Sequence, residues 1–181
     1  MKQENTSENH LSDTETRWFA VRTRFRSEKM AAKSLEAQNI DCFLPLRKSV
    51  KVYGRLKRET ELPLIPSFVF VRIVKKQYIP VLESNYAAGF LKIGNSLLAI
   101  KEEEIDFLRR LTDLPNDIKV EENETHVGDL VEVAYGPLIG LQGKLIQFEN
   151  KSRVAVSLFN SGVVLSISIE QKFIKKISNN G

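Results

Sequence analysis

An α+β sandwich, with helices on an antiparallel sheet, followed by an all-β barrel of SH3-like form is the fold class the sequence predicts. Three observations predict it. Residues 17–113 alternate β-rich runs with two amphipathic helical stretches. Residues 114–125 are polar and acidic, interrupted by Ile118 and Val120, as in a solvated linker. Residues 128–177 hold short runs rich in Val, Ile, Leu and Phe, punctuated by glycines.

The first sixteen residues are polar, lack the apolar core of a signal peptide and read as a disordered acidic leader. Trp18–Thr23 has the composition of a strand. Ser27 suits the N-cap of a helix through Gln38, with Met30, Ala31, Ser34 and Leu35 on one side and Asn39 at its end. Cys42–Val52 and Leu62–Ile73 then read as extended segments joined by a polar hairpin around Tyr53-Gly54-Arg55, and Gly89–Ile93 continues the sheet. A second helix is expected from near Lys101. Glu102, Glu103 and Glu104 at its start and Arg109 and Arg110 near its end match the macrodipole, and Pro115 lies beyond. The expected divisions are a leader at 1–16, a first domain at 17–113, a linker at 114–126 and a second domain at 127–178.

In the second domain, Gly128-Asp129-Leu130-Val131-Glu132-Val133 runs through Tyr135-Gly136-Pro137 to Gly140 and Gly143. That spacing describes a hairpin with a tight exposed loop. Lys144–Phe148, Arg153–Phe159, Val163–Ile169 and Phe173–Ile177 supply the further strands, and their alternating Val, Ile and Ser favour strand over helix.

Composition removes several function classes. The chain has 181 residues, 42% of them hydrophobic, as in a folded globular protein. No window reaches bilayer length, so no membrane partner is expected and the cytoplasm is the expected compartment. Cys42 is the lone cysteine and packs inside as a small hydrophobe; His10 and His126 complete no metal-ligand or catalytic pattern. The late glycines are followed by neither a helix nor Gly-Lys-Ser/Thr, so no phosphate-binding loop and no cofactor is expected. Catalysis is not expected.

Charge is distributed unevenly: net −3 over 1–16, +8 over 17–113, −3 over 114–127 and +2 over 128–181. The cationic set is Arg22, Arg24, Arg26 and Lys29, with Arg47, Lys48, Lys51, Arg55, Lys57 and Arg58 about the hairpin. Such residues can neutralise phosphates, while Phe25 and Tyr53 among them could stack on unpaired bases. A solvated polar loop fits the same residues, and the +8 excess tilts the reading toward nucleic-acid contact. In Pro63–Val71, Phe68 and Phe70 share one face of a strand, Val69 and Val71 the other. Size favours the phenylalanines as core. If the valines face inward instead, the phenylalanines and Ile65 form an exposed apolar patch suited to a protein partner.

The order of these features resembles the NusG-type transcription elongation factors, from Arg17 to Ile177. The resemblance rests on Trp18-Phe19-Ala20-Val21, on Pro66-Ser67-Phe68-Val69-Phe70-Val71 where the family carries Pro-Gly-Tyr-Val-Phe-Val, on Gly89-Phe90-Leu91 before the second helix, and on Gly128–Gly143 in place of the KOW motif. It implies an NGN domain at 17–113 that binds the clamp helices of bacterial RNA polymerase, tethered to a KOW barrel. The polymerase contacts it implies are Ile65, Pro66, Phe68 and Phe70. In the branch resembling RfaH, basic residues at the end of the first strand touch non-template DNA, which points by position to Arg24, with Arg22, Arg26 and Lys29 beside it. Gly136, Pro137 and Phe159 would meet a ribosomal protein or the termination factor Rho. The resemblance also implies a monomer without a cofactor.

Ser67 for the usual glycine, Leu138 where Gly-Pro-Phe is common, and Asn160-Ser161 for Gly-Arg depart from the housekeeping pattern. With the acidic leader, they resemble an operon-specific antiterminator, such as those devoted to surface-polysaccharide gene clusters. The His-Thr-Thr contact to the polymerase gate loop is absent, with Pro80-Val81-Leu82 near its place. A housekeeping elongation factor and a ribosome-associated RNA-binding protein are the alternatives.

Overall fold

The computed structural model describes residues 8–113, 118–121, 128–136, 138–148, 151–158 and 163–177. Contacts divide the chain into two units, one ending at Leu108 and the other beginning at Arg109.

The first unit opens with strand β1 (Arg17–Thr23) and helix α1 (Glu28–Glu36), followed by β2 (Asp41–Phe43), β3 (Leu46–Tyr53), β4 (Leu56–Pro63) and β5 (Phe68–Ile73). A 3₁₀ turn, Lys75–Gln77, leads into α2 (Tyr78–Glu83), then β6 (Ala87–Phe90) and α3 (Glu102–Thr112), whose last turn passes the division. Strands β2, β5, β1 and β6 form an antiparallel sheet in that order, while β3 and β4 pair with each other as a separate two-stranded arm. Phe19 and Val21 of β1 and Val69, Val71 and Ile73 of β5 project from one face. They pack with Ala31, Ala32 and Leu35 of α1 and Val81 of α2 into a buried core.

Local chemistry explains the element ends. Ser27 takes the N-cap position of α1 without capping it: its hydroxyl donates to the Phe25 carbonyl at 3.2 Å. Asn39 lies at φ 56°, the left-handed conformation that asparagine tolerates and that turns the chain out of the helix. At α3, the Glu104 carboxylate accepts from the Lys101 backbone N–H at 3.1 Å, so part of the acidic first turn serves as a cap.

Four expectations are corrected. Glu8–Thr16 is a strap and not a disordered leader. Its backbone exchanges hydrogen bonds with Leu97 through Glu8 and His10, and Leu11 packs on the core. His10 Nδ1 also accepts from the Ala99 N–H at 3.1 Å. Second, the long extended runs break near Pro45 and Pro66, where proline removes a ladder donor, and the first half of each run joins a different sheet from the second. Third, Met30 is exposed, and α2 carries a helical segment with no sequence signal beyond six residues. Fourth, Ile118–Glu121, expected as linker, forms β7 and pairs with a strand of the second unit.

In the second unit, β7 is joined by β8 (Leu130–Val133), β9 (Gln142–Phe148), β10 (Lys151–Leu158), β11 (Val163–Ser168) and β12 (Ile174–Lys176). The antiparallel order is β12-β8-β9-β10-β11-β7. Val131, Val133, Val154, Val164, Leu165 and Ile167 are buried. Gly143 is required by contact: a Cβ there would meet the Ala155 carbonyl oxygen and lie 2.7 Å from a Val154 methyl carbon. Arg153 is buried yet satisfied, donating from Nε to Ser166 Oγ and from Nη2 to Ser166 O, both at 2.8 Å.

Candidate functional site

The antiparallel register puts residues opposite one another on one face of the sheet, so the pairs Trp18–Arg72, Ala20–Phe70, Arg22–Phe68 and Phe43–Phe70 define the face turned away from α1. The valines of β5 point to the helices and the phenylalanines to this second face. An open apolar patch does not result. Phe68 is 7% exposed and Phe70 and Ile65 are buried, whereas Pro66 reaches solvent. Arg22 lies over the Phe68 ring, 5.2 Å from guanidinium carbon to centroid, and the Phe43 and Phe70 centroids are 6.2 Å apart. At the other end of this face, Trp18 Nε1 donates to Glu102 at 2.9 Å, fixing the start of α3 to the sheet.

The turn that delivers Phe68 is held from α1. Ser67 lies at φ 62°, which accounts for the suitability of glycine there. Its N–H donates to the buried Glu28 carboxylate at 2.7 Å, and its carbonyl accepts from the Thr23 N–H at 2.9 Å. Glu28 has no place in the sequence-derived site, because an acid beside an N-cap serine reads as ordinary macrodipole chemistry. Only tertiary placement reveals its role.

The cationic residues separate into groups. Arg24, Arg26 and Lys29 are exposed around the start of α1 beside Phe25. Arg55, in the two-residue loop Gly54-Arg55 where Gly54 takes φ 60°, and Lys57 and Arg58 just after it are exposed at the far end of the arm. Towards the arm's base the charges are paired: Lys48 with Glu59 at 3.5 Å, and Lys29 with Glu61 at 3.7 Å. Exposed pairs like these hold little energy, but Lys29–Glu61 ties the arm to α1. Arg47 is half-buried, and Arg22, though exposed, lies over the Phe68 ring.

In the second unit, Gly136 and Gly140 take φ 89° and 82° in the β8–β9 turn, which exposes Tyr135 and Ile139. Pro137 and Phe159 lie outside the described residues. Among the described residues, no group of His, Cys, Asp and Glu could hold a metal, and no helix is long and apolar enough to cross a membrane. Cys42 packs on the core, and burial, with Glu36 and Asp41 nearby, pushes its thiol up to about 12.

A sheet-and-helix unit bearing a two-stranded cationic arm, followed by an all-β unit, defines a two-module protein. The family described as "Transcription termination factor nusG" matches residues 16–109, more than half of the chain, and the chain belongs to that NusG family of non-catalytic transcription factors. Among solved structures, one titled "Domain interaction in Thermotoga maritima NusG" matches with a TM-score of 0.61 and 21% identity, covering 92% of this chain and 100% of that one. It shares the fold. Two conformations, A and B, of an MjSpt4:Spt5 complex match at TM-score 0.31, with 22% and 26% identity, 89% and 91% of this chain and 98% and 99% of theirs. No curated protein matches.

Proposed function

We propose that this protein is a cytoplasmic, non-catalytic transcription elongation and antitermination factor that binds bacterial RNA polymerase and serves particular operons. The observation that supports the reading is the second face of the sheet, where buried Trp18, Phe68 and Phe70 and half-buried Phe43 lie together behind exposed Pro66. The clamp helices of the polymerase are its proposed partner. Because Arg22 lies over Phe68, docking includes movement of a flexible cation off an aromatic ring, which exchanges one contact for a larger apolar one.

Arg24, Arg26 and Lys29, with Arg55, Lys57 and Arg58 on the arm, approach upstream or non-template DNA. Phosphate contacts supply salt-sensitive affinity, and base contacts supply any operon signal. The second unit is proposed as an SH3-like KOW barrel that recruits a ribosomal protein or Rho through the turn at Gly136. The serine at position 67 and the leucine at 138 support the operon-specific branch, since both depart from the housekeeping pattern.

Co-purification of tagged full-length protein with core RNA polymerase tests the reading. Wild type is expected to retain polymerase, and Phe68→Ala, checked for native folding, to retain much less. Wild type that fails to retain polymerase at low and moderate salt overturns the proposal.

A further inference from the structure

Phe25 is the most exposed large hydrophobic side chain among the described residues, at 81%. A lone surface phenylalanine is ordinary. This one stands at the apex of a built turn. Arg26, next to it, is held at φ 52°, a left-handed conformation that is strained for a residue with a Cβ. The backbone around it is tied on both sides. Thr23 N–H donates to Ser67 O at 2.9 Å, Arg24 N–H to Tyr86 O at 3.0 Å, and Ser27 N–H to Arg24 O at 3.0 Å. The Ser27 hydroxyl is spent on the Phe25 carbonyl, where it shapes this turn at the expense of capping α1.

The surroundings are selective in charge. The Arg26 guanidinium lies 5.0 Å from the Phe25 centroid, over one face of the ring. Arg24 is exposed beside it, and the acid next along the chain, Glu28, is buried against Ser67. The aromatic therefore presents a ring backed by one cation and flanked by another.

We propose that Phe25 is a stacking platform for one unpaired nucleobase, sandwiched between that base and the Arg26 guanidinium, with Arg24 on an adjoining phosphate. The inference rests on the reading that single-stranded DNA passes the end of β1. It goes further in making affinity depend on a base as well as on phosphates. A ring face accepts any base, so the platform fixes a nucleotide in place and leaves sequence choice to neighbouring contacts.

The test uses full-length protein and fluorescence anisotropy with a labelled single-stranded oligodeoxythymidine and a matched abasic strand. A base stacked on an aromatic ring is worth about 1–3 kcal/mol, so Phe25→Ala is expected to weaken binding of the base-bearing strand roughly 5- to 150-fold and leave abasic binding unchanged. Phe25→Trp is expected to restore affinity. Arg24→Ala is expected to weaken both strands alike. Because Phe25 is exposed, its variants should match wild type in thermal unfolding. Unchanged binding by Phe25→Ala, or equal loss on both strands, overturns the platform while leaving the DNA reading in place. Wild type without measurable affinity for either strand overturns both.

Discussion

Glu28 is a single carboxylate that connects two parts of the proposed site, since it caps nothing in its own helix and holds Ser67 N–H at the entry to β5. Replacing it with alanine leaves a half-buried N–H without its acceptor, at a cost of about 1–3 kcal/mol. Glu28→Ala is therefore expected to lower the unfolding temperature of the first unit, and Glu28→Gln, which keeps an acceptor oxygen, to recover most of the loss. Equal stability of all three proteins in a thermal melt would refute the assignment. Cys42 makes a second residue-scale prediction. Its thiol ordinarily ionises near 9.0, and burial moves that to about 12 in the folded chain. Between those values the unfolded chain loses the thiol proton and the folded chain keeps it, so this group's contribution to stability is intact below 9.0 and declines as pH rises toward 12. Near neutral pH the thiolate is scarce, and alkylation of native protein should be much slower than of denatured protein. Comparable rates would contradict the buried placement.

At the scale of elements, the arm formed by β3 and β4 shows how charge is spent. Its base places Glu59 and Glu61 beside Lys48 and Lys29 in exposed, screened pairs, whereas Arg55, Lys57 and Arg58 near the tip point to solvent. Tip charges that only solvate the arm could be reversed without functional effect. On the proposed function, Arg55→Glu/Lys57→Glu/Arg58→Glu reduces affinity for single-stranded DNA and flattens its salt dependence, by about 0.7 in the logarithmic slope for each phosphate contact removed. Stability should shift by no more than about 0.5 kcal/mol for each exposed substitution. An unchanged salt slope would remove the arm from the DNA interface. The elements themselves were unequally legible. β1, α1 and α3 announce themselves through local apolar spacing and charged ends, and the β8–β9 hairpin through its glycines. The strap at Glu8–Thr16 could not be read this way, because it is held by backbone bonds to Leu97, far away in sequence and invisible to composition. β7 was hidden by its acidic surroundings: the short Ile-Lys-Val-Glu alternation, lying in a polar stretch, reads as linker until it pairs with β11. The cationic residues were legible by type, but which of them remain free depended on Phe68, Glu59 and Glu61, contacts that only the folded chain assembles. The same holds for Phe68 and Phe70, whose face follows from alternation while their cover does not.

For the whole molecule, the two units have separate buried cores, one between the sheet and α1 and α2, the other within the second sheet. Each therefore has its own source of apolar stabilisation, and the proposed functions divide with them: polymerase and DNA on the first, a further partner on the second. The division makes a prediction for fragments. A fragment of residues 8–113 keeps the strap, the aromatic face, the arm and all of α3, so it is expected to retain core polymerase in co-purification, while a fragment of residues 114–181 is not. The second fragment has little to drive helix formation, since its strands are rich in Val, Ile and Ser, and its far-UV circular dichroism should be that of a β protein. A helix-dominated spectrum would mean that the β form depends on the rest of the chain. Retention of polymerase by the second fragment alone would move the principal contact away from the aromatic face, and with it the division of labour argued from the two cores.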